Sequence, residues 1–448
     1  MFIQQLHLKN FRNIEEQTFD FRAPFTVIIG KNGSGKSTVL YGLRIAAGTY
    51  FTGLKEIKGR QIEEQDIRVV EGAQLGSLVL ERPVIVAATG IVEEDQAAIH
   101  WRRQIREDSK TTTSSYAELG SIKDIAESKY QAYKDTTNAQ PLNLPVIAYF
   151  GTDRLHGSSR KRSRAKGDRI GRYILEEGYH NWDNMRSNTY QYKEWLATYP
   201  MLLANERERK ESLDVFLDTI QKACPFITKI AINYDQLWLK VSFEVDENTG
   251  MPLQESIWMP IDRHSDGVAT FVEMVAELAF RCIVLNNELG IRAVQNSRGI
   301  VLIDELDIHL HPNWQKIIVH NLQEAFPKLQ FVATTHSPFI VQSLKDEELI
   351  NLEEEDDPTI GLANDPQNYS LEEVAEGEMG VDGKRSEEFQ RMMKLAEQYK
   401  LLVQQGKSAT TDEETAQVKQ QLDELEAQYS SDTAFVATLR MERIAEGL

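Results

Sequence analysis

Cysteine is almost missing from this 448-residue chain: Cys224 and Cys282 are the only two, far apart and each in apolar surroundings. That excludes a disulfide framework and suits a reducing, cytoplasmic setting. No apolar run reaches the length of about 18 residues that a membrane helix needs, so no span is expected. The opening MFIQQLHLKNFRN has no basic stretch followed by an apolar one, so it does not read as a secretory signal. Positive charge is in deficit too: 50 Lys and Arg against 69 Asp and Glu leave a net charge of −19. This argues against wholesale phosphate-backbone binding, although a local basic patch can still hold nucleic acid. No internal repeat is evident. The remainder, 41% hydrophobic and 27% charged, is the composition of an ordinary globular protein, and the length predicts two domains or lobes.

The first hard signal is FTVIIGKNGSGKSTVLYGL. A β-branched run enters the loop Gly30-Lys31-Asn32-Gly33-Ser34-Gly35-Lys36-Ser37, and an apolar segment of helical spacing follows from Thr38. The loop fits G-x-x-x-x-G-K-[ST] in the strand–loop–helix context that a P-loop requires. Its glycines let successive backbone N–H groups turn inward around phosphates at a helix N-terminus. Lys36 is expected to reach the β- and γ-phosphates, and Ser37 to place its hydroxyl on Mg²⁺.

Far downstream, in GIVLIDELDIHLHP, the apolar run Ile300 to Ile303 ends in Asp304-Glu305. A buried strand that delivers adjacent carboxylates to its C-terminal end does so where an open parallel sheet binds ligands. Asp304 is assigned to Mg²⁺ and Glu305 to the activation of water. A helix-like segment, PNWQKIIVHNLQEAFPK, leads to a second apolar strand, LQFVATTHSP, that ends at His336. A strand–helix–strand unit would set His336 beside the acid pair, as a sensor of the γ-phosphate. Between the two halves stands DRHSDGVATF, where Ser265-Asp266-Gly267 is at the least a helix start, since Ser and Asp are common N-caps.

In this order the pieces resemble the ATP-binding-cassette (ABC) type of AAA-class ATPase of the SMC and RecF group. The opening IQQLHLKNFRNIEEQTFDF is similar to that group's first strands, with Arg12 where an arginine commonly meets the nucleotide phosphates. The resemblance implies an α/β fold: an ABC-type, SMC/RecF-like ATPase head with a helical insertion and a helical C-terminal tail. It implies ATP and Mg²⁺ as the bound groups. It further implies that Ser265 and Gly267 form a signature reaching the γ-phosphate held by a second subunit, with His264 in place of the usual leucine. Asp307, just after the acid pair, resembles the residue that couples two such sites across a dimer. Gln61 and Gln65 are candidates for a glutamine loop. LPVIAYFGTDRL, THSPFIVQSL and the tail are similar to the ATPase subunits of bacterial anti-phage systems, the PtuA family of Septu defence and its retron-attached forms. That likeness implies a homo-oligomer built on head-to-tail dimers and an effector nuclease as partner, of the HNH type (PtuB-like). It also allows a retron nucleic acid as a further partner, and implies no membrane.

The chain then divides as follows. Residues 1–100 form a cassette lobe with the P-loop, and 101–225 a largely helical insertion whose strand 144–151 returns to the cassette. Residues 226–350 form the second lobe, in which KIAINYDQLWLKVSFEV and ESIWMPID alternate like antiparallel strands about the turn DENTG. Residues 351–384 read as an acidic linker and 385–448 as a helical tail with two apolar stripes. One stripe runs through Phe389, Met392, Ala396 and Val403, the other through Val418, Leu422, Leu425 and Tyr429. Within the insertion, RLHGSSRKRSRAKGDRIGR (154–172) carries eight basic residues. It is a solvated loop or a phosphate-contacting patch, with Tyr149, Tyr173 and Trp182 as stacking surfaces. Two other functions are weighed. A RecF-like repair ATPase would bind DNA directly. A nuclease of the OLD type would need βαβ units with clustered carboxylates after His336, and the sequence lacks them.

Overall fold

Four runs of apolar residues scattered over some three hundred positions meet in one sheet. A computed structural model of the chain describes residues 1–72, 77–93, 96–109, 112, 116–134, 142–155, 174–183, 191–198, 206–233, 236–242, 255–353 and 365–380. It also describes parts of 391–407 and residues 412–428. The chain forms two units, Met1–Met379 and Gly380–Leu448.

In the first unit β3 (Phe25–Ile29), β8 (Val146–Phe150), β12 (Gly299–Ile303) and β13 (Leu329–Thr334) are buried at every residue. With β14 (Leu349–Asn351) they form a five-stranded sheet of order β14-β3-β13-β12-β8, parallel throughout. Parallel strands covered on both faces need continuous apolar runs, which is why these segments do not alternate. Parallel pairing also sends every strand out at the same edge. The P-loop, the acid pair, the segment after β13 and the turn after β8 therefore emerge side by side.

A second sheet, antiparallel, has the order β2-β1-β6-β7, from β1 (Phe2–Phe11), β2 (Ile14–Asp20), β6 (Val84–Ile91) and β7 (Ile99–Ile105). The helix Lys36–Gly48 packs on both sheets. Trp101 of β7 is buried and donates its indole N–H to Ala46 O of that helix at 2.9 Å. Gln330 on β13 spans the gap between sheets: it donates to Ile3 O (2.7 Å) and accepts from the Ile3 N–H (2.8 Å). A buried amide satisfied on both sides keeps the two layers in register without an orphaned polar group. Elsewhere β4 (Val69–Glu71) and β5 (Leu78–Leu80) pair as a hairpin, while β9 (Ile227–Asn233), β10 (Gln236–Val241) and β11 (Met259–Pro260) form a third sheet. The last of these feeds the helix Asp266–Leu285, buried along nearly all its length.

Several expectations change. The boundary at residue 100 falls inside β7, and the segment read as a linker from 351 begins in the edge strand β14. Beyond it, the helix Leu371–Gly377 buries Val374, and Asn351 donates to Glu378 O at 2.7 Å. These are packed parts of the first unit; 354–364 lie outside the described residues. KIAINYDQLWLKV is two strands, β9 and β10, not one, and the turn DENTG lies outside the described residues. PNWQKIIVHNLQEAFPK is two helices, Pro312–Gln315 and Ile318–Ala325. Tyr149 and Trp182, offered as stacking surfaces, are core residues: both are buried, and Trp182 packs on Phe51 and donates to Lys58 O. Tyr173, and 156–172 of the basic run, lie outside the described residues. Burial pushes both thiols up, Cys282 to about 12, away from the reactive thiolate. Among the described residues no helix is long and apolar enough to cross a membrane.

In the second unit the helix Glu413–Gln428 buries Val418 and Leu422, two members of the expected stripe. Tyr429 and the stripe residues Phe389, Met392, Ala396 and Val403, like the side chain of Leu425, lie outside what is described.

Gly299 opens β12 with φ 156°, and a Cβ built there would lie 1.8 Å from Val146 O. Gly299→Ala should therefore force β8 and β12 apart, costing about 2–3 kcal/mol as read from the urea unfolding midpoint.

Candidate active site

The P-loop leaves β3 through residues that only glycine accommodates well: φ is 145° at Gly30, 88° at Gly33 and 110° at Gly35. Lys36 then starts the helix and folds its ammonium back onto the loop, donating to Gly30 O (2.7 Å) and Lys31 O (2.9 Å). Partial burial lowers its pKa, opposed by the charges of Asp304, Glu353 and Glu305. Ser34 Oγ is buried with no hydrogen-bond partner. Lys31, Asn32, Gly33 and Ser37 are exposed. Lys31 is engaged by Glu353, whose carboxylate accepts its backbone N–H and pairs with its ammonium at 2.8 Å.

The turn between β1 and β2 presses on this loop. Asn13 donates to Gly33 O (3.2 Å) and accepts from the Thr38 hydroxyl (2.7 Å), so it ties the loop to the helix that follows. Arg12, beside it with φ 55°, is held by the buried Asp66 through its Nε (2.8 Å) and Nη2 (2.7 Å), its guanidinium 3.7 Å from the Tyr41 ring centroid. The expected phosphate-facing arginine is thus close to the P-loop with part of its fork already occupied.

The acid pair is fixed from three sides. Asp304 is buried and accepts from Ser37 Oγ (3.3 Å) and from Thr334 Oγ1 (2.6 Å), the last residue of β13. The Thr334 hydroxyl also accepts the Glu305 N–H at 2.8 Å. Glu305 itself stands in the left-handed region, φ 52°, so the two carboxylates leave the strand through a kink and not by simple alternation. Beneath them lies Arg154, which donates to Gly151 O, Asp304 O and Glu305 O at 3.0, 2.6 and 2.7 Å. Arg154 was grouped with the basic run as a solvated or phosphate-binding residue; it is instead 3% exposed. The reason is the short turn Thr152–Leu155, which bends the chain back under the neighbouring strand end.

Asp307 accepts the Thr335 hydroxyl and the His336 N–H (3.2 Å), binding the turn after β12 to that after β13 within one chain. His336 is exposed at this edge. Ser265 is the N-cap of Asp266–Leu285, yet its side chain makes no capping hydrogen bond and is exposed. Gly267, the second residue of that helix, is buried where a Cβ would come 1.9 Å from His309 O. The helix start therefore rests on the same turn that carries Asp307. Neither Gln61, bonded by Arg103, nor Gln65, which donates to Glu63, is bonded to the acid pair. The polar residue that the strand beside β12 delivers is Arg154.

The donor set suits Mg²⁺ with ATP. Ser37 and Asp304 offer two hard oxygens within 3.3 Å of each other, and Mg²⁺ is held by one or two such groups plus phosphates. Among the described residues no group of three or more His, Cys, Asp or Glu is gathered to hold a metal unaided. Thr334 and Asn13 were not singled out in the sequence. Each sits one to three residues from a motif, in VATTH and KNFRN, but nothing local marks which hydroxyl or amide turns inward.

The family model described as "AAA domain" matches residues 5–228, half of the chain, and one described as "AAA ATPase domain" matches 190–341. The "Retron Vc95 probable ATPase" of Vibrio cholerae serotype O1 biovar El Tor is 26% identical over 370 residues, 72% of this chain and 68% of that protein. The "Septu protein PtuA" of Bacillus thuringiensis is 39% identical over 119 residues, 25% of this chain and 29% of that protein. Among solved structures, the Smc head domain with an extended coiled coil bound to the C-terminal domain of ScpA, derived from Pyrococcus furiosus, matches with a TM-score of 0.42. It is 17% identical and covers 78% of this chain and 92% of that one. With its P-loop, acid pair and both family models in agreement, the chain belongs to the AAA-domain family and is an ATPase.

Proposed function

We propose that this ATPase serves an anti-phage defence system of the Septu or retron kind, and that ATP clamps two copies head to tail to gate a partner. Similarity to the retron and Septu proteins supports the setting. The observation that most supports the clamp is Ser265: a helix-start hydroxyl left exposed and unused by its own helix. A helix N-terminus with a free hydroxyl is a ready anion site.

In this reading the P-loop N–H groups cradle the phosphates, and Lys36 swings from the Gly30 and Lys31 carbonyls onto the β- and γ-oxygens. Ser37 Oγ and Asp304 would hold Mg²⁺, which would supply positive charge to offset that of the phosphates. Thr334 keeps the Asp304 carboxylate turned toward Ser37. Glu305 accepts the proton of the attacking water, and His336 reads the γ-phosphate. Ser265 and Gly267 of the second copy close the site, and hydrolysis releases them. The destructive chemistry belongs to the partner, an HNH-type nuclease, and the reading allows a retron nucleic acid as a further partner. A RecF-like repair role is the alternative; the net charge of −19 gives it little support.

Lys36→Ala and Ser265→Arg should each be inactive alone and recover partial ATPase activity when mixed. Subunits that exchange without any recovery rule out the shared site. Glu305→Gln should retain ATP and persist as a dimer on gel filtration while turnover falls by about a hundredfold or more; rapid turnover removes Glu305 from its role. Thr334→Val should raise the Mg²⁺ concentration needed for half-maximal turnover by about tenfold or more; an unchanged Mg²⁺ titration shows that Asp304 needs no such support.

A further inference from the structure

In an extended strand successive residues face opposite ways, so two consecutive carbonyls cannot both reach one partner. After β12 they do: Asp304 O and Glu305 O converge on one guanidinium, at 2.6 and 2.7 Å. The left-handed Glu305, φ 52°, is what turns the second carbonyl to the side of the first. A glutamate in that region is strained and persists only where its surroundings over-determine it. Two groups do so here, Thr334 through the Glu305 N–H and Arg154 through the carbonyls on either side of the kink. Arg154 is itself pinned by Gly151 O, and β8 is pinned to the acid turn by the Asp304 N–H on Phe150 O at 2.8 Å.

From this geometry we propose that Arg154 is a positioning residue for hydrolysis: its planar fork holds the Asp304-Glu305 turn kinked and so aims the Glu305 carboxylate. The inference rests on Glu305 being the group that activates water. A planar fork with donors at fixed spacing bridges two carbonyls as a single ammonium cannot. The hydrogen bonds that Arg154 gives to the acid turn go to backbone carbonyls, so its loss should act on the chemical step and leave ATP binding in place.

The experiment compares the full-length wild type with Arg154→Lys, Arg154→Met, Glu305→Gln and the double variant Arg154→Met/Glu305→Gln. It measures kcat, KM and the equilibrium binding of a fluorescent ATP analogue, with thermal melting as a check on folding. Arg154→Met should lower kcat by about a hundredfold, the effect of misplacing a catalytic group by about 1 Å, with KM and analogue binding within about threefold of wild type. Arg154→Lys, which keeps the charge and the fold, should lose kcat without recovering the two-carbonyl bridge. In the Arg154→Met background, Glu305→Gln should cost little more, because residues that act as a unit are not additive. Full multiplication of the two losses, or a fall in binding that matches the fall in kcat, overturns the proposal. Wild-type turnover in Arg154→Lys overturns it as well, including where Arg154→Met fails to fold. Undiminished turnover in Glu305→Gln alone overturns instead the assignment of Glu305, and this proposal with it.

Discussion

Everything at this site depends on the register of one parallel strand with its two neighbours. Ile303 at the end of β12 lies level with Phe150 of β8 on one side and Ala333 of β13 on the other. That register decides which backbone and hydroxyl groups surround the next two residues. Phe150 O takes the Asp304 N–H, and Thr334, one step past Ala333, meets the Asp304 carboxylate. A slip of one residue would present Asp304 to different neighbours and reverse the facing of its side chain. The bulky runs packed on both faces make such a slip costly. The core is thus what aims the acid pair.

Electrostatics at the site run against the charge of the whole chain. In a protein of net charge −19, the phosphate loop concentrates Lys31 and Lys36 with backbone N–H groups, and Arg154 lies buried under the acid turn. Burial lowers the pKa of Lys36, and the charges of Asp304, Glu353 and Glu305 oppose that shift. In the proposed reading a small number of fixed groups recognises phosphate, which leaves the rest of the surface free to be acidic.

The motifs that were legible in the sequence are local ones. The P-loop is read from eight consecutive residues because its backbone demands glycine at given positions, and β12 and β13 are read from apolar runs because buried parallel strands require them. What was not legible depends on chain folding back from a distance. Arg154 stands at the head of a basic run and looks like part of it; only the turn after β8 buries it. Tyr149 and Trp182 look like stacking surfaces until the sheet and the helix Lys36–Gly48 close over them. Thr334 is an ordinary strand threonine until its neighbour strand ends in a carboxylate. The acidic stretch from 351 has a linker's composition, yet Leu349–Asn351 completes the sheet edge because three apolar or amide-bearing residues suffice to pair with β3. Asp307 was read from resemblance as coupling two sites across a dimer; within the chain its carboxylate accepts from Thr335 and His336.

The missing side chain at Gly267 has a mechanical meaning. With a Cβ-to-oxygen clearance of 1.9 Å, nothing larger than hydrogen separates the start of the Asp266–Leu285 helix from His309 O. Two surfaces in such contact cannot slide independently. A displacement of the turn that carries Asp307 is delivered to the first turn of a helix of 20 residues, which acts as a stiff lever. In the proposed clamp this gearing would join the helix start that faces the second copy to the acid turn that faces water.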